Sequence, residues 1–231
     1  KTLFLWARDR LGNTAVVAQA STTLDATPPT PPSLASPGNG ALIQNASPTL
    51  TWNAPTDSGS GVAAQSVVED GGAGIPVGVG GTSQQVGPLP DGTHSWRVSA
   101  ADNATNASDS DTWSFTVDAT APGPPAFTRQ PPAISPPGTT LVFAWTGDGD
   151  PTFGGGTFNW QVRASSSRIV ASGTVPAAGG SGQVSVQGLA PDSYVLEVQQ
   201  VDQAGNPGQV GLSAVFFIAL PPALPGVPAP S

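Results

Sequence analysis

The sequence predicts an all-β chain built as tandem two-sheet antiparallel β-sandwiches. Three observations predict it. Gly (29) and Pro (26) make up close to a quarter of the 231 residues. An interior Gly costs a helix about 1 kcal/mol and a Pro about 3. Apolar residues recur with period two, as where Trp96, Val98 and Ala100 alternate with Arg97 and Ser99. Such alternation marks a strand with one buried face. Finally, the chain repeats itself: Asp9 in ARDRLGN returns as Asp102 in AADNATN, 93 residues later.

The repeat sets the domain organisation. LDATPPTPPSL from Leu24 and VDATAPGPPAF from Val117 share the offset of 93, as do Leu34 with Phe127 and Trp52 with Trp145. Beyond the Trp the offset grows to 100, so that Asp102 aligns with Asp202 and His94 with Tyr194. The Gly-rich GDGDPTFGGGT stretch is the natural place for the added residues. Residues 1–27 match the C-terminal strand pair of a truncated preceding module. Residues 28–121 form a first complete module and 122–220 a second, and 221–231 read as a Pro-rich linker.

Within each copy the strands follow in order. TLTWNAP carries the Trp strand, and Trp113, Phe115 and Val117 form the last strand of the first copy. In the second copy Phe158, Trp160 and Val162 alternate with polar neighbours, and so do Leu196 and Val198 with Glu197 and Gln199. Turn clusters such as NAPTDSGSG, LPDG and DQAGNPG separate them. About seven short strands in a copy of this length fit a sandwich. Residues 1–27 alone are expected not to fold, because Leu3, Leu5 and Ala7 face a core that they do not supply.

Composition excludes several function classes. Seven basic residues and a net charge of −8 argue against nucleic acid and anionic lipid as partners. The longest apolar run, Leu212–Leu220, is too short to insert in a bilayer. Absent Cys removes disulfides, thiol catalysis and Cys/His zinc sites. The chain opens on Lys rather than Met and is expected to be a piece of a longer protein.

Three stretches resemble bacterial immunoglobulin-like and fibronectin type III-like modules of extracellular or cell-surface proteins. LASPGNGALIQNASPTLTWNAPTDSGSGV resembles the opening of such a module. LAPDSYVLEVQQVDQAGN resembles its later part, and FTVDATAPGPP its last strand and exit. The resemblance implies a secreted or surface-bound, non-catalytic segment serving as stalk, adhesin or filament component. The alternative is a set of accessory modules of a secreted carbohydrate-active enzyme. Implied partners are other modules, other protein chains or surface glycans. Departures are His94 where the next copy has Tyr194, Thr105 at the Gly of D-x-x-G-N, and Ala219 where the previous copy has Asp118.

Candidate sites follow. Trp52 and Trp145 are expected in the cores. Trp6 aligns with Ser99 and Gln199 on a polar face, where an exposed ring would stack on a sugar or a neighbouring module. Asp9, Asp102 and Asp202 each open a turn that their carboxylates can cap. Asp25 and Asp118 sit at module exits. In modules of the kind resembled, carboxylates at turns and junctions bind calcium, which implies Asp102 and Asp118 as a metal pair, with Asp109 and Asp111 as further oxygens. No other cofactor is implied. Asp148-Gly149-Asp150 opens like an EF-hand loop, but Asn159 at the twelfth position excludes one. No enzyme is expected: His94 is the single imidazole, no G-x-S-x-G is present, and neither Glu69 nor Glu197 lies in a cleft motif. GGAGIPVGVGG matches no phosphate loop and reads as a mobile hairpin. Asn45, Asn103 and Asn106 fit glycosylation sequons.

Overall fold

The computed structural model describes residues 2–21, 24–147 and 155–220. The EF-hand-like triplet, most of the Gly-rich insertion and the 221–231 linker lie outside the described residues. The chain divides into two compact units. One comprises Lys1–Ala41, Ser47–Leu89 and Thr93–Thr116, the other Leu42–Ala46, Pro90–Gly92 and Val117–Ser231.

The chain starts with a two-stranded sheet, β1 (Thr2–Arg8) and β2 (Thr14–Ser21), paired antiparallel from Thr2↔Ser21 to Arg8↔Thr14. Nine strands follow: β3 (Ser33–Ser36), β4 (Ala41–Ile43), β5 (Thr49–Asn53), β6 (Val62–Glu69), β7 (Ile75–Val77), β8 (Ser83–Gln85), β9 (Gly92–Asp102), β10 (Ala107–Asp109) and β11 (Trp113–Val117). They form a three-stranded sheet β3-β5-β8 and a larger sheet β4-β11-β9-β6-β7, with β10 paired to β9. The next nine are β12 (Ala126–Arg129), β13 (Ile134–Ser135), β14 (Leu141–Thr146), β15 (Thr157–Ala164), β16 (Ile169–Pro176), β17 (Ser181–Val186), β18 (Asp192–Val201), β19 (Pro207–Leu212) and β20 (Phe216–Ile218). Their sheets are β12-β14-β17 and β13-β20-β18-β15-β16, with β19 on β18. The two sets match strand for strand. β6–β9 and β15–β18 pair antiparallel, whereas β13 runs parallel to β20.

The Gly-rich stretch forms the outer arm of a hairpin with β6. Ile75–Val77 adds to the sheet edge, with Gln65↔Val77 and Val67↔Ile75 opposite each other. Asp70 (φ 47) and Gly71 (φ 68) make the tight reversal before it, the left-handed pair that a short hairpin turn requires.

The alternation read from the sequence holds in the cores. Trp52, Val67, Trp96, Val98 and Phe115 are buried in the first set, and Phe143, Trp145, Phe158, Val162, Leu196 and Val198 in the second. Trp145 sits edge-on to Phe158 (centroids 5.7 Å apart) and to Phe127 (6.1 Å). Its register partner is Gly182, and a side chain there would run into the indole. Trp52 is fixed differently: its Nε1 donates to the buried Gln65 Oε1 at 3.1 Å. Sandwiches this thin depend on a few large residues. Trp52→Ala and Trp145→Ala should each remove about 3–5 kcal/mol, comparable to a small domain's whole stability. Calorimetry should show each substitution abolishing the melting of its own unit. An unchanged thermogram would remove these residues from the core.

Candidate functional site

The best-defined polar feature recurs three times. In each case an Asp stands at the last position of a strand or just after it, the chain reverses, and an Asn four residues on closes the turn. Asp9 Oδ1 accepts the N–H groups of Leu11 and Asn13, both at 2.9 Å, and Asn13 Nδ2 donates to Oδ2 at 2.8 Å. Asp102 Oδ1 accepts from Ala104 and Asn106, both at 2.8 Å, and Oδ2 from Asn106 Nδ2 at 2.7 Å. Asp202 repeats the pattern with Gly205 (2.7 Å) and with Asn206 N and Nδ2 (both 2.8 Å). A short carboxylate can gather several N–H donors in one reversal, which is why Asp opens these turns. The Asn13 amide and backbone N–H hold the Asp9 carboxyl below its usual range.

In two of the turns the Asn does more. Asn106 Nδ2 also donates to the backbone carbonyl of Asp25 (3.3 Å), and Asn206 Nδ2 to that of Asp118 (2.8 Å). Asp25 and Asp118 occupy the same place in the repeat, in the extended segment that leads into each set of nine strands. Each Asn thus clasps the lead-in segment to the turn. The sequence marks the Asn as part of the D-x-x-G-N turn but gives a capping role to the Asp alone. Of the sequon residues, Asn106 is engaged as described, and Asn103 Nδ2 donates to the carbonyls of Ser60 and Gly61.

Around the first clasp lie the carboxylates of Asp25, Asp57 and Asp102, each offering an oxygen within 4.8 Å of the others. Asp102 therefore has Asp25 and Asp57 as its acidic neighbours. Asp118, its expected metal partner, is a fully buried residue of the second unit. N–H donors meet all three clustered groups. Thr27 N (3.1 Å) and Ser60 N (2.6 Å) donate to Asp25, and Gly61 N (2.7 Å) to Asp57. The Ser60 hydroxyl and these N–H groups pull the Asp25 carboxyl below its usual range. Gly59 permits the approach, since a side chain there would collide with that carboxylate. Asp109 is engaged elsewhere, with Arg97 (2.6 Å) and the Ser99 hydroxyl.

His94 and Tyr194 fill one repeat position with different chemistry. Tyr194 donates its hydroxyl to Ala190 O at 2.8 Å and stacks on Phe216, which ties the start of β18 to the turn before it. Burial raises the phenol's pKa, reinforced by Asp192 and opposed by Arg168. His94 is also buried and packs against Phe115, but its Nδ1 meets Asp70 Oδ2 at 2.8 Å. Burial works against ionisation of Asp70, yet the Ser95 N–H and His94 outweigh it and leave the carboxyl below its usual range. Glu69 moves the other way: burial raises it first, then the charge of Asp70, with His94 opposing. Glu69, Asp70 and His94 make a second group of close ligand atoms. Trp6 is 61% exposed, as its alignment with polar positions implied.

The turns differ at their fourth residue. Gly12 (φ 88) and Gly205 (φ 96) take the left-handed conformation easily, whereas Thr105 is held there at φ 71. A β-branched residue pays for that geometry, on the order of 1–3 kcal/mol. Thr105→Gly should recover about 1 kcal/mol, after the entropy that Gly itself costs, and raise the melting temperature of the first unit. An unchanged or lower value would mean that the turn is not strained. Calcium titration checks the acidic cluster. Since N–H donors already meet these oxygens, melting is expected not to respond to calcium or chelator, while Asp57→Asn lowers it in both. A calcium-dependent rise that Asp57→Asn abolishes would make the cluster a metal site.

No protein-family model matches the chain, and no curated protein matches it in sequence. Solved structures do. A run of titin domains matches with TM-score 0.51 at 14% identity, over 90% of this chain and 71% of that one. The FN1–FN3 domains of chicken CNTN1 match with TM-score 0.49 at 14% identity, over 94% and 75%. Fibronectin(III)-like modules of Clostridium thermocellum CbhA match with TM-score 0.48 at 10% identity, over 81% and 93%. At such identities the likeness concerns the fold, and the fold is that of immunoglobulin-like and fibronectin type III-like β-sandwiches.

Proposed function

We propose that the chain is a non-catalytic structural segment of a repetitive extracellular or cell-surface bacterial protein, working as part of a stalk, adhesin or filament. The recurrent clasp carries this reading. Asn106 and Asn206 each fasten the lead-in of a module to that module's own turn, so tension on the lead-in meets a hydrogen bond to the body before any strand is peeled. Pro-rich lead-ins such as TPPTPP add stiff, extended spacers. His94 is spent on Asp70 and packed on an aromatic ring, which supports a structural use for the single imidazole. The partners in this reading are neighbouring modules and other surface proteins.

Single-molecule stretching tests it. The expected record has two unfolding steps, one for each nine-strand module, and Asn106→Ala and Asn206→Ala each lower the force of one step. A record in which the substitutions leave both forces unchanged would overturn the mechanical role of the clasp. One observation favours the second reading, accessory modules that bind carbohydrate: the exposed Trp6 ring. Retention on insoluble polysaccharide, lost in Trp6→Ala, would decide for that alternative.

A further inference from the structure

The hairpin β1–β2 carries a face whose counterparts elsewhere in the chain are buried. Leu3 is 74% exposed and Leu5 60%. The repeat aligns Leu3, Leu5 and Ala7 with Trp96, Val98 and Ala100 in β9, and with Leu196, Val198 and Gln200 in β18. All six of those counterparts are at most 2% exposed. The strands that carry them have neighbours on both edges: β9 lies between β11 and β6, and β18 between β20 and β15. Among the described residues β1 pairs with β2 alone. Its free edge is therefore the one that β6 and β15 fill in the complete copies, where Val67 lies opposite Val98 and Val162 opposite Leu196.

A second feature of the hairpin has filled counterparts too. The Asp9–Asn13 turn is built like those at Asp102 and Asp202, with the Asn13 amide on Asp9 Oδ2. Asn106 and Asn206 use the same amide group to hold a lead-in carbonyl, that of Asp25 or Asp118. Both carbonyls belong to an Asp-Ala-Thr-x-Pro sequence.

We propose that β1–β2 is a docking site for the leading half of a repeat of this same type. That segment runs from an Asp-Ala-Thr-x-Pro lead-in, whose Asp carbonyl Asn13 takes, to a strand equivalent to β6, which pairs with the free edge of β1. The intervening strands supply the second sheet that covers Leu3 and Leu5. The chemistry favours this occupant over a second hairpin. Two copies joined edge to edge along β1 would satisfy backbone groups, but they would only widen one sheet. Leu3 and Leu5 would stay uncovered, and Asn13 would find no lead-in.

The experiment adds that half in register. A second copy of residues 24–93 is placed ahead of Lys1, so that its Thr93 meets Lys1 as Thr93 meets His94 in the native chain. A parallel variant uses residues 117–193. Hydrogen exchange is followed for Thr2–Ser21, with Gly92–Asp102 in the same molecule as the folded reference. The expected result is exchange slowed at least about a hundredfold across Thr2–Ser21 in one or both extended chains. Leu5→Asp should reverse it, and Asn13→Ala should speed exchange at the turn. Fast exchange of Thr2–Ser21 in both extended chains, with Gly92–Asp102 still protected, would overturn the proposal. Protection that appears in the unextended chain and grows with concentration would name a second copy as the occupant and overturn it as well.

Discussion

Each nine-strand module depends on one constraint, the need of a short carboxylate for N–H donors. The Asp that closes β9 or follows β18 gathers backbone N–H groups from the turn, and in doing so fixes the Asn four residues on. Because that amide is held on the Asp, its remaining hydrogen points in a set direction. It meets the lead-in carbonyl without further cost in side-chain entropy. The longest strand, its turn and the arriving chain are thereby tied at one end of the module. The sheets then need little apolar mass to hold, which suits cores built on a few aromatic side chains.

Much of the fold was legible in the sequence because it is written at period two. Trp52, Trp145, Phe158, Leu196 and Val198 are buried where alternation puts them. Among the described residues each sandwich has nine strands rather than about seven, because short pieces such as β4, β10 and β13 carry two or three residues and give no periodic signal. β7 was hidden for a related reason. Its sequence is framed by glycines, and its pairing comes from the neighbour β6 rather than from its own propensity.

The site was legible in part. Asp9, Asp102 and Asp202 cap turns as their residue type suggests. The carboxylates that gather at Asp102 were not found, because Asp25 and Asp57 are distant in sequence, and what brings them near is the course of the lead-in. The departures from the repeat carry information as well. Thr105 stands where the other turns have Gly, and the backbone keeps the left-handed conformation all the same, so the bonds to Asp102 override local preference. His94 replaces a tyrosine and recruits Asp70 from a neighbouring hairpin, a partner that no spacing rule would name.

The strand-for-strand match between β3–β11 and β12–β20 has a consequence for biosynthesis. Neighbouring modules with one topology are prone to exchange strands while both are incomplete, a characteristic failure of repeat proteins. Here the interiors are not interchangeable. The position of Trp96 in one module holds Leu196 in the other, that of Ala100 holds Gln200, and that of His94 holds Tyr194. A swapped β9 would bring an indole where a leucine fits, and would leave Gln65 facing the wrong neighbours. Divergence of buried residues under a conserved topology thus acts as proofreading: each emerging strand fits its own module better than the one beside it.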